Sequence, residues 1–168
     1  MKRLVGVAVA VALSWGGHLF RSQQYFLGAE VGGSSLQSES SGLFSLRWGY
    51  YYYLPNPAQI SGKLYLNLTD LTKIEGPLQS VEVWNQFLYN RWGALKPYLG
   101  IGVGYVDKYS DSDGAPSGFG EVGVEVGVLF QLNRRLDLFG GVKVTNGEDS
   151  FNFSHPLYRY SIGVDLIL

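Results

Sequence analysis

The sequence predicts an all-β fold, namely an eight-stranded antiparallel up-and-down transmembrane β-barrel. Eight short segments alternate apolar residues with polar residues or glycine, which is the period-two pattern of a strand with two unlike faces. The connections between these segments alternate in length, and we expect no charge on the apolar face of any segment. A water-soluble sandwich shares the alternation, but it has no reason to exclude charge from one whole face.

Length and composition restrict the class of protein. The chain has 168 residues, which suits one domain, and its formal net charge of −1 gives no electrostatic indication of nucleic-acid binding. The absence of cysteine excludes disulfides and thiolate metal sites. The high counts of glycine (23) and tyrosine (12), at a mean hydropathy of +0.03, suit a β-barrel better than a helical membrane protein.

Residues 1–16 are predicted to be a signal peptide for export. Lys2 and Arg3 form a basic start, and the apolar stretch Leu4–Leu13 follows. Ser14–Gly16 offers small residues to a signal peptidase, and Ala10–Ala12 is a competing site. An uncleaved anchor helix is the alternative, but this apolar stretch falls well short of the ~20 residues that span a bilayer.

The first four strands are predicted near Tyr25–Val31, Phe44–Tyr52, Ile60–Thr69 and Ser80–Tyr89. In each segment large apolar residues alternate with polar residues or glycine, as in a strand with one apolar face. The fourth segment is the least regular, because Asn85 stands where its apolar face requires an apolar residue.

The last four strands are predicted at Leu95–Tyr105, Glu121–Phe130, Leu136–Val144 and Tyr158–Leu168. The sixth strand is the clearest, since valines at 122, 124, 126 and 128 alternate with glutamate and glycine. Each segment has about the 9–11 residues that a tilted strand needs to cross a bilayer. The eight strands define an outer-membrane barrel domain over residues 23–168.

The alternating lengths of the connections predict how the barrel is oriented in the membrane. The short connections are Leu54–Gln59, Asn90–Ala94 and Leu132–Arg135, and the long polar ones are Ser34–Gly42, Asp70–Pro77, Asp107–Ser117 and Asn146–Pro156. Outer-membrane barrels have short periplasmic turns and longer outer loops, so we expect the long connections at the cell surface. Their candidate surface-loop acids are Asp107, Asp111, Asp113, Glu148 and Asp149, whereas the short connections carry arginine and no acid.

Eleven charged side chains are predicted to point into the barrel and form a lumen charge network. They are Glu30, Arg47, Lys63, Glu82, Lys96, Glu121, Glu125, Asp137, Lys143, Arg159 and Asp165. The interior of eight strands is just wide enough to be filled by side chains, and a buried charge without a partner is costly. We therefore expect Glu121, Glu125, Asp137 and Asp165 within pairing reach of Lys143, Arg159, Arg47 or Lys96. A conducting pore is the alternative to this structural polar core.

With these strands, and with the glycine run Gly100–Gly104, the chain resembles the small eight-stranded outer-membrane barrels such as OmpX, the opacity proteins and the transmembrane domain of OmpA. The resemblance covers Gln23–Leu168 and rests on architecture. It implies a non-enzymatic protein of the bacterial outer membrane that contacts membrane lipids and lipopolysaccharide and is inserted by the barrel-assembly machinery. It also implies an envelope or adhesion role through the surface loops. Members commonly end in an aromatic residue, and Leu168 departs from that pattern.

Candidate residues for chemistry are few. Ser154 and His155, with Glu148 and Asp149 upstream, suggest a hydrolase set, but adjacent Ser and His rarely face each other and Pro156 favours a loop. Asp111–Gly114 resembles part of a calcium loop but fails its full pattern. We therefore predict no catalytic residue, no metal and no cofactor. A lipid-A-modifying enzyme and a narrow channel for small ions stay as alternative functions.

Overall fold

The computed structural model describes residues 23–36, 39–54, 59–72, 78–108, 117–146 and 156–168. They form eight strands: β1 (Gln23–Leu36), β2 (Glu39–Tyr53), β3 (Ile60–Thr72), β4 (Leu78–Tyr89), β5 (Leu95–Lys108), β6 (Ser117–Gln131), β7 (Leu136–Asn146) and β8 (Pro156–Ile167). A short 3₁₀ turn, Asn90–Trp92, leads from β4 to β5. No helix in this part of the chain is long and apolar enough to cross a membrane.

The strands form a closed barrel, which confirms the predicted fold class. Each strand pairs antiparallel with the next, and eleven residue pairs join β8 back to β1, so the sheet has no free edge. Closure matters in lipid, because an open edge would leave backbone groups without hydrogen-bond partners.

The register fixes the tilt of the strands. A row of paired residues leads from Tyr25 around the barrel and returns to β1 at Ser35, ten positions further along, through Tyr50, Leu64, Asn85, Ile101, Val124, Val144 and Tyr158. Eight strands with this stagger are tilted by roughly 40–45° from the barrel axis. Residues in one row therefore lie at different heights, which decides the partners inside the barrel.

Side chains divide between an outward apolar face and a filled interior, as the alternation predicts. Leu99 and Ile162 are more than half exposed on the outside and Val124 is nearly so, whereas Tyr65 and Trp84 are buried inside. Among the side chains that the structure describes, one charge departs from our expectation that none lies on the outward face. Asp70 is exposed on the outward face of β3, two residues before that strand ends. A charge near the membrane interface costs only about 0–1 kcal/mol, so this position is compatible with a bilayer.

The strands run further than predicted at the end opposite the short turns. Most of the predicted loop Ser34–Gly42 is strand, with Ser34 paired to Ser41, and residues 37 and 38 connect β1 to β2. Asp107, predicted as a loop acid, lies in β5 opposite Gly118 of β6. An antiparallel ladder is made by backbone groups, so polar residues can extend it. Asp111, Asp113, Glu148, Asp149, Ser154, His155 and the predicted signal peptide lie outside the described residues.

Candidate functional site: the polar interior

The candidate site is the charged interior of the barrel. Ten of the eleven predicted lumen residues are buried, with exposed fractions between 0 and 3 %. The exception is Lys96, which is half-buried and donates a hydrogen bond to Gln131 Oε1 at 3.0 Å. Side chains that lined a water-filled pore would be accessible to water, so these exposed fractions indicate a filled interior.

One half of the network is centred on Glu82. The Arg159 guanidinium bridges two carboxylates, with one nitrogen 2.5 Å from Glu82 and the other 2.7 Å from Glu121. The Lys143 amine lies 3.6 Å from Glu82 and 3.3 Å from Glu30. Glu82 also accepts hydrogen bonds of 2.6 Å from the Ser80 hydroxyl and from the indole N–H of Trp84. This carboxylate is therefore held by charged and neutral donors together.

The other half is centred on Asp165. Its two oxygens contact different cations: Oδ1 lies 3.3 Å from Arg47 Nε, and Oδ2 is bonded by the Lys63 amine. The Arg47 guanidinium also lies between two aromatic rings, 4.1 Å from the centroid of Tyr65 and 3.8 Å from that of Phe139. A guanidinium over ring faces gains cation–π attraction when it is removed from water.

Glu125 is hydrogen-bonded by neutral side-chain donors, although we expected a cation beside it. It accepts hydrogen bonds from the Tyr65 hydroxyl at 2.8 Å, the Gln86 amide at 2.8 Å and the Tyr98 hydroxyl at 3.0 Å. Lys143 is directly opposite Glu125 in the register, but its amine turns towards Glu30 and Glu82. Among the described residues, no cationic nitrogen lies within ion-pair distance of Glu125.

Asp137 departs from the expectation in the same way. It accepts a hydrogen bond of 2.8 Å from the Tyr51 hydroxyl, and no cation of the described chain lies within ion-pair distance. Tyr51 was not among the predicted lumen residues, although it occupies an inward position of β2. Its polar neighbours along the strand, Ser45, Arg47 and Gly49, provide the signal that would have placed it inside.

Two apolar clusters fill parts of the interior, and the larger one is interleaved with the charged side chains. An inner apolar layer lies towards the short turns and contains Phe26, Tyr51, Tyr65, Trp84, Leu88, Tyr98, Leu129, Phe139 and Ile167. An outer apolar layer, Leu43 and Val106 with Phe119 packed against them, lies towards the opposite end. Rings of the inner apolar layer contact the charges directly, since Arg47 lies against Tyr65 and Phe139. The Tyr51 hydroxyl likewise donates a hydrogen bond to Asp137.

Glycines make room for the large interior side chains. Gly102 of β5 is paired with Trp84 of β4, and a Cβ atom there would come 2.3 Å from the indole ring. A Cβ atom at Gly163 of β8 would likewise come 2.4 Å from the Phe139 ring. Interior glycines therefore compensate for interior bulk by direct contact with the large rings.

Asn85, the irregular residue of the fourth predicted strand, has a partner on the outside of the barrel. The Tyr52 side chain crosses over Gly62, and its hydroxyl donates a hydrogen bond of 2.7 Å to Asn85 Oδ1. A polar amide on an apolar face is costly unless it is hydrogen-bonded, so this contact explains how the position tolerates asparagine.

Within the described ranges, no group of three or more His, Cys, Asp or Glu side chains is arranged to hold a metal ion.

No protein-family model matches the chain, and no curated protein matches it either. Solved structures do match. Neisserial surface protein A has 19 % identity and a TM-score of 0.61, covering 87 % of this chain and 97 % of that one. Ail of Yersinia pestis, in complex with the heparin analogue sucrose octasulfate, has 12 % identity and a TM-score of 0.54, covering 87 % and 97 %. The outer membrane enzyme PagL has 18 % identity and a TM-score of 0.56, covering 85 % and 99 %. The chain has the fold of the small eight-stranded outer-membrane barrels.

Proposed function

We propose that the protein is an integral barrel of the bacterial outer membrane that carries its long acidic connections at the cell surface and has a structural or adhesive role. The observation that best supports this proposal is an apolar outward face around a filled interior. Half-exposed leucine, isoleucine and valine side chains surround the barrel, while the charged groups are enclosed. In water this outward face would be a large unpaired apolar surface, and in a bilayer it is the expected one.

The interior supports a structural role over a transport role. Each of its ten buried charged residues has a polar contact inside the barrel, through ion pairs or through tyrosine, serine and amide groups. Seven buried side-chain atoms of the described chain have no hydrogen-bond partner, but the charged residues contact one another or neutral donors, which suits a structural polar core. We therefore assign any adhesive role to the long connections between the strands.

The fold likeness to an outer membrane enzyme supports a second candidate, a lipid-A-modifying enzyme. His155 with Ser154 would then act at the outer rim. We place this second, because adjacent side chains on one segment rarely face each other in a nucleophile–base pair. In the leading proposal, the mass profile of lipid A is the same in cells with the wild type, with His155→Ala and without the protein. A change that needs His155 would favour the enzyme.

Surface charge bears on what the loops bind. The comparison protein Ail was crystallised with a heparin analogue, which is a polyanion. Here the connections outside the described ranges hold Glu75, Asp111, Asp113, Glu148 and Asp149 against Lys73. Like charges disfavour a sulfated ligand, so we propose that these loops do not retain the protein on a heparin column at physiological salt. Retention would contradict this part of the proposal.

Cell fractionation tests the proposed location. We expect the protein in the outer-membrane fraction of a density gradient, and we expect its migration on SDS gels to change when the sample is boiled. The shift follows from closure, because a barrel with all backbone groups paired resists SDS until it is heated. A protein that is recovered in the soluble fraction, or that migrates identically before and after boiling, would refute the proposal.

A further inference from the structure

The short-turn end of the barrel carries positive charge alone among its described turn residues. The turns Asn90–Ala94 and Leu132–Arg135 contain three charged side chains, and all three are exposed arginines: Arg91, Arg134 and Arg135. We call these three residues the arginine rim. Among the described residues, no carboxylate lies within ion-pair distance of any of them. Three exposed guanidinium groups thus remain available to a ligand outside the barrel.

The backbone holds this end of the barrel in a fixed shape. Asn90 N donates to Gln59 O at 2.9 Å, and Gln131 N donates to Ala94 O at 2.8 Å. At the turn between β6 and β7, Arg135 O accepts a hydrogen bond of 2.8 Å from Ile167 N at the end of β8. These bonds link each short turn to its neighbour. The arginine rim therefore stands on a preorganised platform, and less ordering entropy opposes ligand binding.

Large apolar side chains lie next to the arginine rim on the outward face. Trp92 is 62 % exposed and stacks edge-on against Tyr89, with ring centroids 6.1 Å apart. Phe130 and Leu132 are more than two-fifths exposed beside the second turn. Tryptophan and tyrosine favour the interface between hydrocarbon and headgroups. In a bilayer, these apolar side chains would place the turns that carry the arginines at headgroup level.

We propose that the arginine rim binds the phosphate groups of anionic phospholipids in the periplasmic leaflet. A guanidinium presents a planar pair of donors that matches phosphate, and a net negative lipid adds a long-range attraction that a zwitterionic lipid lacks. The inference rests on the proposed function, because it needs the short-turn end to lie in a phospholipid leaflet. Acidic peptides of the cell wall would also attract arginine, but they offer no reason for the exposed tryptophan beside it.

Trp92 provides the reporter for the test. In a Trp48→Phe background, Trp92 is the one tryptophan of the described chain that faces lipid, because Trp84 is 1 % exposed inside the barrel. The protein is reconstituted into phosphatidylcholine vesicles that contain a fixed fraction of brominated phosphatidylglycerol or of brominated phosphatidylcholine. Bromine quenches tryptophan fluorescence on contact, so the ratio of quenching reports the relative affinity of the two lipids at the rim.

We expect phosphatidylglycerol to be preferred by about fivefold for each engaged arginine at low salt. The triple variant Arg91→Gln, Arg134→Gln, Arg135→Gln should bring the ratio close to one. The control Lys108→Gln removes a positive charge at the opposite end of β5 and should leave the ratio unchanged.

Equal quenching by the two lipids in the wild type would overturn the inference. So would a preference that survives the triple substitution. A third outcome is that the wild type shows no lipid preference but sediments with isolated peptidoglycan, and that the triple variant does not. The partner would then be cell-wall peptide and not phospholipid. Failure of the wild type to insert into pure phosphatidylcholine vesicles refutes the proposed function itself, whereas insertion without a preference refutes the lipid inference alone.

Discussion

Two deeply buried carboxylates are held in different ways inside the barrel. Asp165 contacts the cations of Arg47 and Lys63, whereas Glu125 accepts hydrogen bonds from two tyrosine hydroxyls and an amide. Removing one member of a buried ion pair leaves an uncompensated charge, which costs more than replacing an acceptor among neutral donors.

Asparagine and glutamine substitutions at these two positions should therefore differ in cost. Asp165→Asn leaves two buried cations with a weaker partner, and we expect it to lower the free energy of unfolding by about 3–5 kcal/mol. Glu125→Gln keeps the shape and one acceptor oxygen, and we expect a loss of about 1–2 kcal/mol. Urea unfolding in lipid vesicles measures both. The double variant Asp165→Asn, Lys63→Met should recover part of the loss, and an equal cost of the two single substitutions would contradict this account.

Val124 tests the outward face at the scale of one residue. It is 48 % exposed and lies in the middle of the outward face of β6. Val124→Arg should lower the free energy of unfolding from vesicles by about 2–4 kcal/mol, because a charge near the membrane midplane is poorly solvated. The same change at Asn133, in an exposed turn, is the control and should have little effect. An arginine at 124 that is tolerated as well as at 133 would mean that this face does not meet lipid.

Neighbouring strands are matched in volume where a large side chain faces a glycine. Gly102→Ala would place a Cβ atom 2.3 Å from the indole of Trp84, so β4 and β5 could not keep both side chains in place. We expect a loss of about 1–3 kcal/mol in the free energy of unfolding, measured by urea titration.

The matched control for this prediction is Gly120→Ala, since a Cβ atom there has nothing within 4 Å. That variant should unfold like the wild type. The double variant Trp84→Leu, Gly102→Ala should recover part of the stability, because the smaller side chain vacates the space. If Gly102→Ala and Gly120→Ala behave alike, the steric account of this strand pair is wrong.

Period-two alternation identified all eight strands, but it placed their ends less well. It depends on a contrast between two faces, and that contrast disappears where polar residues such as Ser34 and Ser41 pair. The face of the barrel on which each side chain lies was predictable, because a register shift of one residue would turn every apolar side chain inwards.

The partners of the interior charges were less predictable than their facing. Lys63 and Asp165 are 102 positions apart in the chain and meet only because the stagger of the closed barrel brings them to one height. Neighbouring registers suggested Lys143 as the partner of Glu125, but a long flexible amine can reach past the opposite residue. Contacts across the lumen depend on the closed geometry of the whole sheet, which local sequence patterns do not specify.

At the scale of the whole molecule, the orientation in the membrane can be tested because the chain has no cysteine. A single Asn133→Cys variant places one thiol in the short turn between β6 and β7. We expect a membrane-impermeant maleimide to leave it unlabelled in intact cells and to label it after lysis. An Asp113→Cys variant, in a predicted surface loop, should be labelled in intact cells. The reverse pattern would place the short turns outside.

Conduction through the barrel is the last whole-molecule prediction. An ion on the axis would have to pass an interior in which charged residues, each at most 3 % exposed, are packed among the rings of the inner apolar layer, and then Leu43 and Val106. The buried charged residues already contact one another or neutral donors, and Leu43 and Val106 cannot replace the hydration shell of an ion, so crossing is unfavourable. We therefore expect no stable conductance steps when the folded protein is inserted into a planar bilayer.

A variant that empties the inner apolar layer makes that recording interpretable. Trp84→Ala with Leu129→Ala removes two of its large buried side chains, and we expect it to show at least intermittent steps under the same conditions. The gel shift on boiling verifies that both proteins are folded before they are compared. Unitary steps of constant size from the wild type would show that the interior opens, because a filled lumen gives no continuous path for water. The ion pairs would then line a pathway, and the narrow channel would replace the structural scaffold as the function of this barrel.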